Sequence, residues 1–326
     1  MEIKMGNRSV CVVIVTYNRK ELLVNLLQDL SKQSYPVSAV LLVDNNSSDG
    51  TPDLLLEKNI VSAVKVDEVT EQIWENVTIH YYRNSENAGG SGGFAKAFEL
   101  VSKMQYDCVW AMDDDVSPEV NCLEEMMKYL NSEARLCIPC RGDENYVDYA
   151  ITGYDLKTLR YFHFADCKRN RLDSRTITEP YVEVKDMVFE GPLFTRDLIK
   201  EIGIPDKGYF ILFDDTDYAH RASEKTTLRY ITGAKLHKKV FPPKTESNAW
   251  GWKSYYKLRN SVYFEKKYGE NFRVKYLRAI LRLGDLFLRA VLKGRFKRAK
   301  WIIRAYKDGI TGRMGRTYAP NEIVSD

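Results

Sequence analysis

Two acidic clusters, far apart in the chain, are the parts of this sequence best suited to chemistry. The first, Asp113-Asp114-Asp115, closes the apolar run that begins at Trp110. Adjacent carboxylates repel one another and are costly to hold together unless a cation or solvent screens them. One or two carboxylates, with substrate phosphates completing the shell, are the usual setting for a hard divalent cation. The competing reading is a solvated turn in which Asp115 caps the next helix. The second cluster, Asp214-Asp215-Thr216-Asp217, follows the apolar run Tyr209–Phe213. Arg221 stands four residues after Asp217, at helical ion-pairing distance, which leaves Asp214 and Asp215 free for other work. Two clusters at strand ends suit two jobs, one holding a cation and one acting as a base.

Between them lie the other candidates. Asn84-Ser-Glu-Asn-Ala-Gly-Gly-Ser-Gly-Gly93 leads into a helix whose inner face is Phe94, Ala97, Phe98 and Val101. Unobstructed backbone N–H groups at the positive end of a helix suit a diphosphate, although a flexible connection would have the same composition. The spacing fits neither a P-loop nor a dinucleotide fingerprint after the first strand. His237 taken alone is more readily structural than a ligand, and His80, His163 and His220 have no motif around them. Cys137-Ile-Pro-Cys140 lacks a partner pair, so the six scattered cysteines read as buried, reduced thiols.

The elements that must position these residues follow from periodicity. Val10–Val15 is a continuous β-branched run, as in a strand buried on both faces. Leu22, Leu23, Leu26, Leu27 and Leu30 then mark one face of a helix over 21–33, with Asn18 as its N-cap. A second strand, Ala39–Val43, ends in the polar loop Asp44–Gly50 before a short helix over 51–57. Residues 59–75 read as an insertion, Ile79–Tyr82 as a strand, and Pro118–Leu130 as a helix. Irregular strands and loops are expected over 136–186, then strands at Phe189–Phe194, Tyr209–Phe213 and Leu228–Ile231. Successive βα units predict an α/β fold with a Rossmann-like, mostly parallel sheet flanked by helices.

A chain of 326 residues with 44% hydrophobic and 29% charged residues is an ordinary globular protein. No apolar run reaches the length of a membrane span and the N-terminus lacks the apolar centre of a signal peptide, which points to the cytoplasm. The net charge of +4 is unevenly placed: residues 266–316 carry sixteen Lys or Arg against Glu270, Asp285 and Asp308. Such a tail suits an anionic partner. Its helices, Tyr276–Ala290 and Arg295–Tyr306, interleave basic residues with Leu277, Ile280, Leu281, Leu286, Leu288, Phe296, Trp301 and Ile302. They suit either a membrane interface or packing on the rest of the protein, including a homo-oligomer.

Six ordered pieces together resemble the inverting, family 2 glycosyltransferases of GT-A fold: Val13–Asn18, Val43–Gly50, Asn87–Phe94, Trp110–Asp115, Phe213–Asp217 and His237. The galactofuranosyl- and rhamnosyltransferase branch is similar in the NxGGSGG loop, the Asp triplet and Tyr255–Asn260. The likeness spans residues 9 to 265. It implies that Thr16, Asn18 and Asp44 line the base and ribose pocket, and that Asn87, Gly89, Gly90, Gly92 and Gly93 lie beside the diphosphate with Asp113 and Asp114. It implies a Mg²⁺ or Mn²⁺ on Asp113, Asp115 and His237, and Asp215 as catalytic base. On the acceptor side it leaves Asp214, with Trp250, Trp252 and Tyr255 suited to sugar stacking. The expected substrates are a UDP- or dTDP-sugar and a cell-surface polysaccharide or lipid-linked glycan, with no nucleic acid. Residues 1–240 would form the nucleotide-sugar and catalytic domain. Residues 241–326 would form a basic helical region for the acceptor, a peripheral contact with the inner membrane face, or an oligomer. A nucleotidyltransferase and a non-catalytic nucleotide-sugar or glycan-binding subunit are the alternatives.

Overall fold

The apolar run Val10–Thr16 is buried along its whole length because helices cover both faces of the sheet it runs through. The computed structural model describes residues 8–160, 167–241 and 250–319, so His163 lies outside them. In chain order the elements are β1 (Val10–Thr16), α1 (Lys20–Ser31), β2 (Ala39–Asp44), α2 (Thr51–Glu57), β3 (Val69–Trp74), β4 (Val77–Arg83), α3 (Gly89–Val101), β5 (Cys108–Asp113), β6 (Val116–Pro118) and α4 (Cys122–Tyr129). There follow β7 (Leu136–Cys140), β8 (Tyr149–Tyr154), β9 (Lys168–Asp173), β10 (Tyr181–Val184), β11 (Leu193–Thr195), α5 (Arg196–Ile202), α6 (Asp214–Ser223) and β12 (Leu228–Lys238). Helices α7 (Trp252–Tyr268), α8 (Arg278–Leu292) and α9 (Phe296–Thr311) complete the described chain, with a π-helical turn at Arg273–Leu277 before α8.

Among the described residues, ten strands form one sheet in the order β10-β12-β7-β11-β5-β1-β2-β4-β3, with β6 added on β12. Strands β5, β1, β2 and β4 are parallel, and their register pairs Val15 with Asp113, Thr16 with Asp44, and Asp44 with Arg83. Their C-terminal ends therefore share one edge, where ligands bind in sheets of this kind. Alternate residues of β1 enter different cores: Val12 and Ile14 pack with α1 and α4, and Val13 and Val15 with α3. All six cysteines are buried.

Several elements differ from the sequence expectation. The stretch read as an insertion contains β3, an antiparallel edge strand, and 136–186 supplies β7 to β10. The helix after the Asp triplet starts only at Cys122, beyond β6, so Asp115 caps nothing. Arg19, not Asn18, occupies the N-cap of α1, and Asn18 takes a left-handed conformation at φ 54°. Tyr209–Phe213 is not a strand: Phe210, Leu212 and Phe213 all have positive φ, and a 3₁₀ turn over Lys207–Tyr209 precedes them. Asn260 of α7 holds that shape, its amide donating to the carbonyls of Tyr209, Ile211 and Leu212 at 2.8–3.1 Å, and Arg259 adds a bond to Tyr209 O at 2.8 Å. Side chains from a distant helix thus take the place of sheet partners. Asn260→Ala, which leaves those carbonyls short of a donor, should lower unfolding stability by about 2–3 kcal/mol in a denaturant titration.

Candidate active site

The two acidic clusters lie on the wall of a single cleft of about 590 Å³. Asp113, Asp114, Thr16, Asn87, Gly89, Gly90, Asp214, Asp215 and Trp252 line it. Within the triplet the three carboxyls differ. Asp114 is fully engaged: Thr16 Oγ1 donates to it at 2.7 Å, Tyr17 N at 3.2 Å and Arg19 Nη1 at 2.8 Å, tying the loop after β1 to the end of β5. Arg19 also pairs with Asp115 Oδ2 at 2.9 Å, while Asp115 Oδ1 is buried with no hydrogen-bond partner. Burial, followed by the charges of Glu190, Asp115 and Asp114, raises the Asp113 carboxyl well above its ordinary range despite Arg19. Asp113 and the unpartnered oxygen of Asp115 are hard donors short of positive charge, a set that fits Mg²⁺ or Mn²⁺.

His237 does not join them. Its Nδ1 lies 3.0 Å from Asp143 Oδ2 and its Nε2 3.1 Å from Glu119 Oε1. Strand alternation explains this, since its neighbour Lys238 pairs with Glu190 on the cleft wall. Among the described residues, no group of three or more His, Cys, Asp or Glu is arranged to hold a metal, so the expected triad of Asp113, Asp115 and His237 is not assembled.

The second cluster stands at the N-terminus of α6 rather than at a strand end. Asp217 is buried and structural, accepting from Arg221 Nε at 3.0 Å, Tyr209 OH at 3.1 Å, Tyr268 OH at 2.8 Å and Lys267 Nζ at 2.7 Å. Burial raises both neighbours. The Asp214 carboxyl is pushed up to about 7 by burial and by Asp215 beside it. Asp215 is raised by burial and by Asp186, against the pull of Lys168. Asp214 is buried while Asp215 is only half-buried, so Asp215 is the more open to the cleft. A carboxylate with raised proton affinity at a cleft wall is suited to accept a proton near neutral pH.

The glycine-rich loop serves position as much as donation. Gly89 has φ +76°, and a Cβ there would come 2.3 Å from Phe210 O. This close approach brings the first turn of α3 against the loop that carries Asp214, and Ser91 N donates to Phe210 O at 3.2 Å. Gly89→Ala should therefore cost about 2–3 kcal/mol of stability, measured by denaturant unfolding, through clash and left-handed strain together. Gly93 makes room for β1, since its Cβ would meet Val15 Cγ1 at 2.5 Å, and Gly92 for Ala88. Of the four glycines in this loop, only Gly90 has open space before it.

Asn18 and Asp44 do not line the cleft. Asn18 Oδ1 accepts from Ser48 N at 2.7 Å; Asp44 is buried beneath, accepting from Arg83 Nη1 at 2.8 Å, Tyr81 OH at 3.0 Å and Ser47 N at 2.7 Å. Tyr255 is likewise buried, donating to Asp308 Oδ2 at 2.6 Å, and Trp250 stacks under Arg298 at 4.8 Å. Sequence reasoning missed Asn45, which lines the cleft and fastens the glycine-rich loop. Its Nδ2 donates to Asn87 Oδ1 and Gly89 O at 3.0 Å, and Ala88 N donates to its Oδ1 at 3.0 Å. It also missed Arg141 and Glu190, which line the cleft and pair at 2.6 Å, with Asp148 taking the other arm of Arg141 at 2.5 Å. Burial opposes ionisation of Glu190, but Arg141 and Lys238 hold it below the usual range.

Residues 11–203, more than half of the chain, match the sequence profile described as Glycosyl transferase family 2. The galactofuranosyltransferase GlfT1 of Mycolicibacterium smegmatis is 24% identical over 247 residues, 70% of either chain. The hyaluronan synthase of Streptococcus pyogenes is 32% identical over 131 residues, 40% of this chain and 28% of that protein. Among solved structures, the fold is similar to that of a mannosyltransferase from Pyrobaculum calidifontis in complex with GDP-Man and Mn²⁺. That likeness has a TM-score of 0.56 at 16% identity and covers 95% of this chain and 89% of that one. It is also similar to S. aureus TarS 1–349 in complex with UDP-GlcNAc, with a TM-score of 0.53 at 12% identity over 96% and 98% of the two chains.

Proposed function

This chain belongs to glycosyl transferase family 2, enzymes that transfer a sugar from a nucleotide-sugar donor, and we propose that its donor carries galactofuranose or rhamnose on UDP or dTDP. Similarity to a galactofuranosyltransferase over 70% of both chains supports the first sugar. The acceptor is a hydroxyl of a cell-surface polysaccharide or lipid-linked glycan, with Trp252 at the start of α7 on its side of the cleft. One observation carries the reading: the raised carboxyl of Asp113, two residues before Asp115 with its unpartnered buried oxygen, shares a cleft with the raised pair Asp214 and Asp215.

In this reading Asp215 takes the proton of the acceptor hydroxyl as its oxygen bonds to the anomeric carbon, while the bond from that carbon to the diphosphate breaks. A single displacement inverts the configuration and needs no second nucleophile. Held by Asp113 and Asp115, Mg²⁺ or Mn²⁺ would offset the charge that gathers on the departing diphosphate. Arg19 keeps Asp114 and Asp115 in place beside it, and Asn45 fixes the glycine-rich loop. Donor turnover measured with UDP-galactofuranose, UDP-galactopyranose, UDP-glucose and dTDP-rhamnose, each with Mn²⁺ and with chelator, tests this. Mn²⁺-dependent use of UDP-galactofuranose or dTDP-rhamnose is expected. Turnover of UDP-glucose alone would overturn the sugar assignment, and undiminished turnover in chelator would overturn the cation.

A further inference from the structure

Helix α8 turns Arg278 and Arg282 inward and several apolar side chains outward. Arg278 and Arg282 are 0% and 1% exposed. Arg282 donates to both oxygens of Glu265, at 2.8 and 3.1 Å, and to Ser261 Oγ at 3.0 Å. Arg278 donates to Asp155 O at 2.7 and 3.0 Å and pairs with Glu265 at 3.4 Å. The charges that would normally solvate the helix are thereby used inside the protein. Its other side presents Leu277, Ile280, Leu281, Leu288 and Leu292, the last two 60% and 85% exposed. Phe296 and Ile303 of α9 are also exposed, and an apolar groove of about 190 Å³ runs between the two helices. An apolar face this continuous marks an interaction surface.

We infer that this face docks on an anionic lipid bilayer. Exposed Lys293, Lys297, Lys300, Arg304 and Lys307 follow directly on the apolar stripe, and Lys300, Arg304 and Lys307 share a surface depression with Ile303. On the same segment, Asp285 is already paired with Arg289 and Asp308 is buried. Leucines beside one sign of charge fit lipid acyl chains beneath acidic headgroups. A second copy of the same face would set cation against cation, which disfavours self-association. No helix among the described residues is long and apolar enough to cross a membrane, so α8 and α9 lie along the surface. This inference stands on the tail's geometry and is independent of the sugar transferred.

The test is co-sedimentation of the full chain with vesicles of phosphatidylcholine alone or mixed with phosphatidylglycerol. Binding to the mixed vesicles, weakened by salt, is expected. Leu288→Glu with Leu292→Glu should abolish it with the thermal melt unchanged, since both side chains already face outward. Lys293→Gln with Lys297→Gln should weaken partitioning by about fivefold for each cation removed. Failure to bind the mixed vesicles, or equal binding by the glutamate variant, would overturn the inference. So would a dimer in sedimentation velocity that the same glutamates disperse, because the occupant would then be a second copy. Sugar transfer to a soluble acceptor is unaffected by either substitution, so loss of vesicle binding and loss of the proposed reaction are read separately.

Discussion

Asp215→Asn should lower turnover of sugar transfer by about 10²–10⁴-fold and leave nucleotide affinity within about twofold of the native value. The amide keeps the size and the place of the carboxyl at the start of α6 but cannot accept the hydroxyl proton. With Asp215 in the proposed role, kcat/KM of the native enzyme should fall as pH drops, because a base must be unprotonated to act. Burial raises Asp215, and Asp214 beside it is pushed up to about 7, so this acid limb lies above the ordinary carboxylate range. The residual activity of the variant lacks that limb. A pH–rate profile of both proteins checks the assignment, and an Asp215→Asn enzyme with full turnover would remove Asp215 from the chemistry. Asp214→Asn makes the converse case: with its neighbour gone, Asp215 ionises more readily and the acid limb moves to lower pH.

Asp113→Asn should reduce kcat/KM by about 10²-fold through loss of the proposed cation donor, yet make the metal-free protein more stable at neutral pH. The sign follows from linkage. Burial and the surrounding carboxylates raise the folded-state pKa of Asp113 above its unfolded value of 3.8. Such a group stabilises the fold fully below the unfolded value, and that contribution disappears as pH rises through the folded one. At neutral pH the native carboxyl therefore opposes folding, and the amide removes the penalty. A cation at the proposed site would remove it too, so Mn²⁺ should raise the melting temperature of the native chain but not that of Asp113→Asn. Equal shifts in both proteins would place the Mn²⁺ elsewhere.

What could be read from the sequence was what local composition determines. Val10–Val15 and Ala39–Val43 are apolar at every position because both faces of the sheet are covered, and runs of that kind identify themselves. Asp113–Asp115 and Asp214–Asp217 were legible because adjacent like charges are costly without a purpose. Strands β3, β8 and β9 were not legible: β3 and β9 have no buried position and β8 has only Ala150 and Ile151, so no alternating buried face writes a pattern into them. Tyr209–Phe213 has the composition of a strand and the backbone of a strained loop, since its shape is set by Asn260, some fifty residues on. Asn45, Arg141 and Glu190 act through side-chain bonds to residues distant in sequence, and spacing carries no signal for those. Asp44 and Tyr255 belong to the quoted motifs, but their place beneath the cleft wall depends on Arg83, Tyr81 and Asp308.

The hold of Arg259 and Asn260 on the Phe210–Phe213 loop bears on how such chains can change over generations. A recombination event near residue 240 would leave both acidic clusters in the sequence, yet exchange the amide that sets the direction of the second. Residues 210–213 and 259–260 are therefore one unit of inheritance, though the chain separates them. Across many descendants they should vary together or not at all, while the leucines on the outer side of α8 drift according to the surface they meet.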